Sequence, residues 1–171
     1  ISGGYADGAD STGNGGAVFA ANRTVPISRS VLSGNQALHL GGAVYIHHWT
    51  KTNTLPWFIP PKGTVDLDSC VIRDNMAASG GAIAVEGWGN GISVRTNRTL
   101  IEGNNASVSG AAVYLQHYGT YICDFTTIAA NGDSSISSIY LNSVSLDEIN
   151  VHNSIIWNPG PVVFNGSPAS R

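Results

Sequence analysis

Charge is what this chain has least of. Asp, Glu, Lys and Arg together make up 11% of its 171 residues, against roughly 25% in an ordinary soluble domain. The formal net charge is −3 and no Lys/Arg cluster occurs, so the positive footprint that nucleic-acid binding requires is missing. No apolar run approaches the roughly 20 residues that span a bilayer, which argues against membrane insertion of this segment. Two cysteines, Cys70 and Cys123, fall short of a disulfide scaffold. An initiator Met and a signal peptide are also missing from the stretch between Ile1 and Arg171, and we expect it to be one segment of a longer chain. What fills the gap is Gly, Ser, Thr and Asn, with 21 glycines. A surface wetted by amides and hydroxyls is common in extracellular β proteins.

The sequence repeats. An aliphatic residue, two variable residues and Asn recur as Leu32-Ser-Gly-Asn35, Ile72-Arg-Asp-Asn75, Ile101-Glu-Gly-Asn104, Ile128-Ala-Ala-Asn131 and Ile155-Ile-Trp-Asn158. A small-small-Ala-aliphatic phrase follows the first four copies: Gly41-Gly-Ala-Val44, Gly80-Gly-Ala-Ile83, Gly110-Ala-Ala-Val113 and a degraded Ser137-Ser-Ile139. One more copy, Gly15-Gly-Ala-Val18, precedes them. The asparagines stand 40, 29, 27 and 27 residues apart, and the long interval contains one insertion, about residues 47–63.

A third segment in each period alternates as a half-buried strand does, for example Val65-Asp-Leu67-Asp and Tyr121-Ile-Cys123-Asp. Three short strands per period, each pairing with its equivalent one coil on, predict an all-β parallel β-helix of about five coils with one lateral loop. Neighbouring coils lie about 4.8 Å apart, so like stacks on like. Asn35, Asn75, Asn104, Asn131 and Asn158 are expected to form an amide ladder at a turn whose left-handed backbone Asn tolerates. The inward positions three and five residues before each Asn hold Ser30/Leu32, Cys70/Ile72, Thr99/Ile101, Thr126/Ile128 and Asn153/Ile155.

The two phrases resemble the tandem repeats of the polymorphic outer membrane protein family, Gly-Gly-Ala-aliphatic and Phe-x-x-Asn, over nearly the whole chain. Leu or Ile replaces the aromatic in all five copies here. The resemblance, with the rule for parallel crossovers, implies a right-handed solenoid. It also implies surface display or adhesion, with no catalytic residues to carry over.

Candidate chemistry is sparse. Cys70 and Cys123 are expected inward and two coils apart, about 9.6 Å, too far for a disulfide. His48 and His117 occupy equivalent places, also two coils apart, and cannot share a metal ion. His47 points to the opposite side from His48. Asp7 and Asp10 lie in a Gly-rich segment that reads as a polar loop rather than a calcium site. Neither metal nor cofactor is therefore assigned. Asp68, Asn97 and Asp124 all stand seven residues before their Asn and are expected to make one outward column. Asp68 and Asp124, about 9.6 Å apart, supply the alternative reading, a polysaccharide-active enzyme with an inverting carboxylate pair. Asp66 and Arg95 are expected to form an exposed ion pair worth under about 1 kcal/mol.

Sequons begin at Asn22, Asn97, Asn105 and Asn165, and glycans are expected at the first three, which fall at turns or outward positions. The insertion carries Trp49, Trp57 and Phe58 among three prolines. It serves either as a lateral cover or as a contact patch. Trp157 is expected to pack on the coil. The resulting expectation is a secreted structural or adhesive module at a cell surface. Its partners would be neighbouring domains or subunits at the coil ends and the aromatic loop, with surface carbohydrate besides.

Overall fold

The computed structural model describes residues 1–8, 13–48, 63–87, 92–142 and 147–165, the last three by backbone alone. It is a β-solenoid of about four turns, close to the five coils expected. All pairing between its strands is parallel. Among the described residues no helix is long and apolar enough to cross a membrane.

The three strands expected per coil are present, and a fourth joins them. The first sheet stacks the strands that accompany the five copies of the Gly-Gly-Ala phrase, Val18–Ala21, Val44–His48, Ile83–Gly87, Val113–Gln116 and Ile139–Asn142, and adds Val163–Asn165, which no copy precedes. The second holds the alternating segments Val25–Ser28, Thr64–Asp68, Ile92–Asn97, Gly119–Asp124 and Glu148–His152. The third holds Val31–Ser33, Val71–Arg73, Leu100–Glu102, Thr127–Ala129 and Ile155–Trp157. The fourth holds the short strands Tyr5–Ala6, Gln36–Ala37, Met76–Ser79 and Asn105–Ser109. The insertion leaves the coil at the corner between the first and second sheets, after His48 and before Thr64.

Alternation drives the packing. Leu32, Ile72, Ile101 and Ile128 form one fully buried inward row. Val44, Ile83, Val113 and Ile139 form another from the first sheet. Each such side chain contributes about 1.5–3 kcal/mol by leaving water. Ala37, Ala77 and Ala106 keep the fourth wall thin. Buried hydroxyls satisfy one another: Tyr121 Oη lies 2.8 Å from Thr96 Oγ1, and Thr126 Oγ1 donates to Thr96 Oγ1 at 3.3 Å.

The corners are set by single left-handed residues. Between the second and third sheets stand Arg29, Ser69, Arg98, Phe125 and Asn153, with φ between 45° and 55°. Between the third and fourth stand Gly34, Asp74, Gly103 and Ala130, with φ of 63°, 56°, 61° and 52°. The left-handed residue is thus the one before the ladder Asn, not the Asn itself. A side chain there costs about 1 kcal/mol, and the corner leaves the Asn amide free to bond along the solenoid.

The fifth copy of the repeat is out of register. Ile156, not Ile155, pairs with Ile128, and Trp157 pairs with Ala129. This slip by one residue flips every side chain. Ile155 is 64% exposed and Trp157 58%, against the inward and packed positions expected of them. The inward pair is Ser154 and Ile156, and Asn153 is exposed. The Ser154 hydroxyl accepts the Thr126 N–H at 3.0 Å, as the Thr99 hydroxyl accepts that of Cys70 at 3.3 Å.

Candidate functional site

Asn35, Asn75, Asn104 and Asn131 form a continuous hydrogen-bonded column. Each Oδ1 of Asn75, Asn104 and Asn131 accepts both the backbone N–H and the Nδ2 of the Asn one coil before it, at 2.8–3.1 Å. The Nδ2 groups of Asn75, Asn104 and Asn131 also donate to the carbonyls of Leu32, Ile72 and Ile101, each at 3.0 Å. The Gly4 N–H closes the near end on Asn35 Oδ1 at 2.9 Å. Asn158 stands outside the column. The register of the last coil puts Pro159 in the ladder position, and the buried Oδ1 of Asn158 has no hydrogen-bond partner among the described residues.

Asp68, Asn97 and Asp124 are register partners on the outward side of the second sheet. Asp68 Oδ1 accepts Arg98 Nη2 at 2.6 Å and Asn97 Nδ2 at 2.7 Å, and Asp68 Oδ2 accepts the Ser69 hydroxyl at 3.2 Å. Desolvation opposes ionisation of Asp68. The Arg98 guanidinium, helped by Asn97 and Ser69, outweighs it and holds the carboxyl below its usual range. A group so held is a poor general acid. Asp66 and Arg95 face each other in register, but no ion pair joins them among the described residues. Asn97 is half-buried, Asn105 exposed, and Asn22 half-buried at a left-handed corner with φ 51°.

A second cluster lies on the outer side of the first sheet, where the expectation held no ligand constellation. Glu86 Oε2 accepts the Tyr45 hydroxyl and lies 3.3 Å from His47 Nδ1, while Glu86 Oε1 lies 3.6 Å from His117 Nδ1. The cluster joins three successive coils. Desolvation, then the hydrogen bond to Glu86, push the Tyr45 phenol far above its ordinary value, so it keeps its proton and donates it to Glu86. His117 and Tyr118 take successive left-handed conformations, φ 56° and 68°. His117 thereby reaches outward to Glu86, whereas His48, in the equivalent place, is fully buried. One signal in the sequence marks this row. In register with one another stand His47, Glu86, Gln116 and Asn142, all polar, while the first copy of the phrase places Ala21 there. The Glu86 side chain is only 15% exposed, so the arrangement is a clamp between coils rather than an open acid–base centre. Beside it, Tyr114 and Tyr140 stack at 5.7 Å, and the Tyr114 hydroxyl donates to Gln116 Oε1 at 2.8 Å and accepts Asn142 Nδ2 at 3.0 Å.

Asp147 stands at the same corner of the next coil. Its Oδ1 accepts the Gly119 N–H at 2.9 Å, and its buried Oδ2 has no hydrogen-bond partner among the described residues. Burial pushes its carboxyl up to about 6, against the opposing pull of the Gly119 and Tyr118 amides. The unfolded chain releases this proton near 3.8. Between those two values the native state alone holds it, so stability falls as pH rises through the window and stays lower above it. Asp147→Asn keeps the acceptor and removes the charge. We expect a gain of about 1 kcal/mol at pH 7, discounted for partial exposure, which vanishes at pH 4. Urea midpoints at the two pH values measure it, and a loss at pH 7 would contradict it.

Both cysteines are buried and free. Among the described residues no group of three His, Cys, Asp or Glu side chains is placed to hold a metal ion. Trp49, Trp57, Phe58, Trp88 and Asp10 lie outside the described residues. A groove of about 260 Å³ on the outer face of the fourth sheet is lined by Tyr5, Gln36, Leu38, Met76, Ala78 and Ser107. Exposed apolar side chains gather elsewhere, with Phe125 (59%), Ile155 (64%) and Trp157 (58%) at the outer surface of the third sheet and its corner. Compared with protein-family models, curated proteins and solved structures, the chain gives no match, and its function rests on its own residues.

Proposed function

We propose that this chain is a structural or adhesive module of an extracellular or cell-surface protein, a stiff rod that presents contact surfaces. The observation that carries this reading is the aromatic and aliphatic surface at Phe125, Ile155 and Trp157. Phe125 occupies a left-handed corner that Arg, Ser or Asn fills in the other coils, and its ring is 59% exposed. An apolar ring kept both strained and wet is paid for by a partner that covers it. The continuous Asn column supports the rod. The outward sequons at Asn22, Asn97 and Asn105 and the low charge support the extracellular setting, as does the resemblance to surface-displayed repeats. Polysaccharide cleavage, the alternative, finds little support at Asp68 and Asp124, because Arg98 neutralises Asp68 and Asn97 stands between the two.

The test is retention of the purified protein on intact cell surfaces and on immobilised polysaccharides. We expect retention, reduced at least about tenfold by Phe125→Ser with Trp157→Ser, since each ring contributes on the order of 1–2 kcal/mol to a contact. Depolymerisation of any of the polysaccharides by the wild-type protein would sink the reading.

A further inference from the structure

The outward positions of the third sheet make one surface along the solenoid. Val31, Val71, Leu100, Thr127 and Ile155 are register partners in successive coils. Each precedes a residue packed in the core, from Leu32 to Ile156, so alternation turns this row outward. Val31 is 47% exposed, and Ile155 more so. Phe125 rises beside the row from the corner before Thr127, Trp157 stands on its other side, and both rings are exposed. A face parallel to the solenoid axis stays outward whatever continues the coil at either end.

Size and charge select what this face can hold. It is about 19 Å long over five coils and about 13 Å wide from the corner to the third strand position, roughly 250 Å². A stable protein interface needs about 800 Å² on each partner. A peptide strand is captured by main-chain hydrogen bonds at a sheet edge, and a sheet face offers side chains instead. The borders carry compensated charge. Arg98 Nη2 lies 2.6 Å from Asp68 Oδ1, Arg73 Nε lies 3.9 Å from Asp74 Oδ2, and Glu102 is the register partner of Arg73. Arg29 is the other cation of the corner row. A polyanion is gathered by a run of like cations, which the described borders lack.

A neutral glycan matches this pattern. Its pyranose rings present C–H groups on both faces and hydroxyls at the rim. The faces pack on aromatic and aliphatic side chains, and the rim bonds to nearby hydroxyls and amides. Ser33, Thr127 and Asn153 supply such groups here. An extended β-1,4-linked chain advances by nearly one coil spacing per ring, so successive rings meet successive residues of the row. We propose that the outward face of the third sheet binds an extended, neutral β-1,4-linked polysaccharide, laid along the solenoid against the aliphatic row, Phe125 and Trp157. The inference rests on the reading of the chain as an adhesive module and names the chemistry it adheres to.

Titration calorimetry of the whole chain with oligosaccharides tests it. Hexamers of β-1,4-linked glucose and of β-1,4-linked N-acetylglucosamine are the neutral probes, and a hexamer of galacturonic acid is the anionic one. At least one neutral hexamer is expected to bind with a dissociation constant of about 1 mM or below, and the anionic one about tenfold more weakly or worse. Affinity is expected to rise with chain length up to about five rings, one per coil, and to level there. Val31→Asn with Ile155→Asn, both at exposed positions, is expected to weaken binding about tenfold without moving the thermal midpoint. Neutral hexamers that fail to bind at roughly 10 mM, a trimer as tight as the hexamer, tighter binding of the anionic probe, or indifference to the two asparagines would overturn the assignment. Retention on cell surfaces without binding of either neutral hexamer removes only the glycan. Binding followed by cleavage of the hexamer keeps this surface and removes the module reading.

Discussion

Asn104→Ala is expected to cost about 4 kcal/mol, the largest loss from any single amide in this chain. The Asn104 side chain accepts the N–H of Asn75 at 3.1 Å and its Nδ2 at 2.9 Å, and donates to Ile72 O, Glu102 O and Asn131 Oδ1 at 2.8–3.0 Å. Alanine leaves the Asn75 N–H without its acceptor and removes one of the two acceptors of Asn75 Nδ2 and one donor to the Ile72 carbonyl, all in a fully buried setting. Each orphaned group costs about 1–3 kcal/mol. The thermal midpoint should fall by roughly 10 °C for a domain of this size. Asn158→Ala is the internal control. Its amide is nearly buried but stands outside the column, and removing an oxygen that has no partner among the described residues should cost under about 1 kcal/mol. Equal losses at the two positions would show that the column carries no special share of stability.

Gly81→Ala is expected to cost on the order of 3 kcal/mol or more. A Cβ at Gly81 would stand 2.3 Å from the carbonyl oxygens of both Ala111 and Asn105. Both obstacles are backbone atoms of the next coil, so no rotamer change relieves them. Ala111 occupies the equivalent place one coil on and is itself fully buried. It is tolerated there because no described strand of the fourth sheet follows Asn105–Ser109 to crowd it from below. The reverse change, Ala111→Gly, should therefore cost only about 1 kcal/mol. Thermal unfolding of the two variants measures the contrast. Equal midpoints would mean that the coil spacing yields easily at this corner.

Much of the fold was legible because a solenoid writes its neighbours into its own repeat. The phrases around Leu32, Ile72, Ile101 and Ile128 are alike, and stacking puts like residues in contact, so local identity gave three sheets and four ladder positions. The fourth sheet was not legible. Gln36–Ala37 is two residues long, and no alternation can be read over so short a stretch. Ile155 and Ile156 are both aliphatic, so the repeat phrase fits either frame. Pairing with Thr127–Ala129 selected the second frame, which exposed Trp157 and took Asn158 out of the ladder.

The candidate site was less legible, because its members come from different coils and meet through corners rather than through repeats. Arg98 reaches Asp68, 30 residues away in sequence, from the left-handed corner of the following coil. That contact makes the carboxylate on which the alternative reading depended half of an ion pair. His117 reaches Glu86 only because two successive residues adopt positive φ.

The amino-acid sequence by itself determined the period, the parallel β class and the residues that fill the interior, since those follow from alternation and from stacking at a fixed rise. The tertiary structure decided the frame of the last coil, the fourth wall, and which charged side chains touch. Those depend on the hand of single corner residues and on a one-residue choice of register, each worth only about 1–2 kcal/mol locally. Packing against the neighbouring coil is what selects among them.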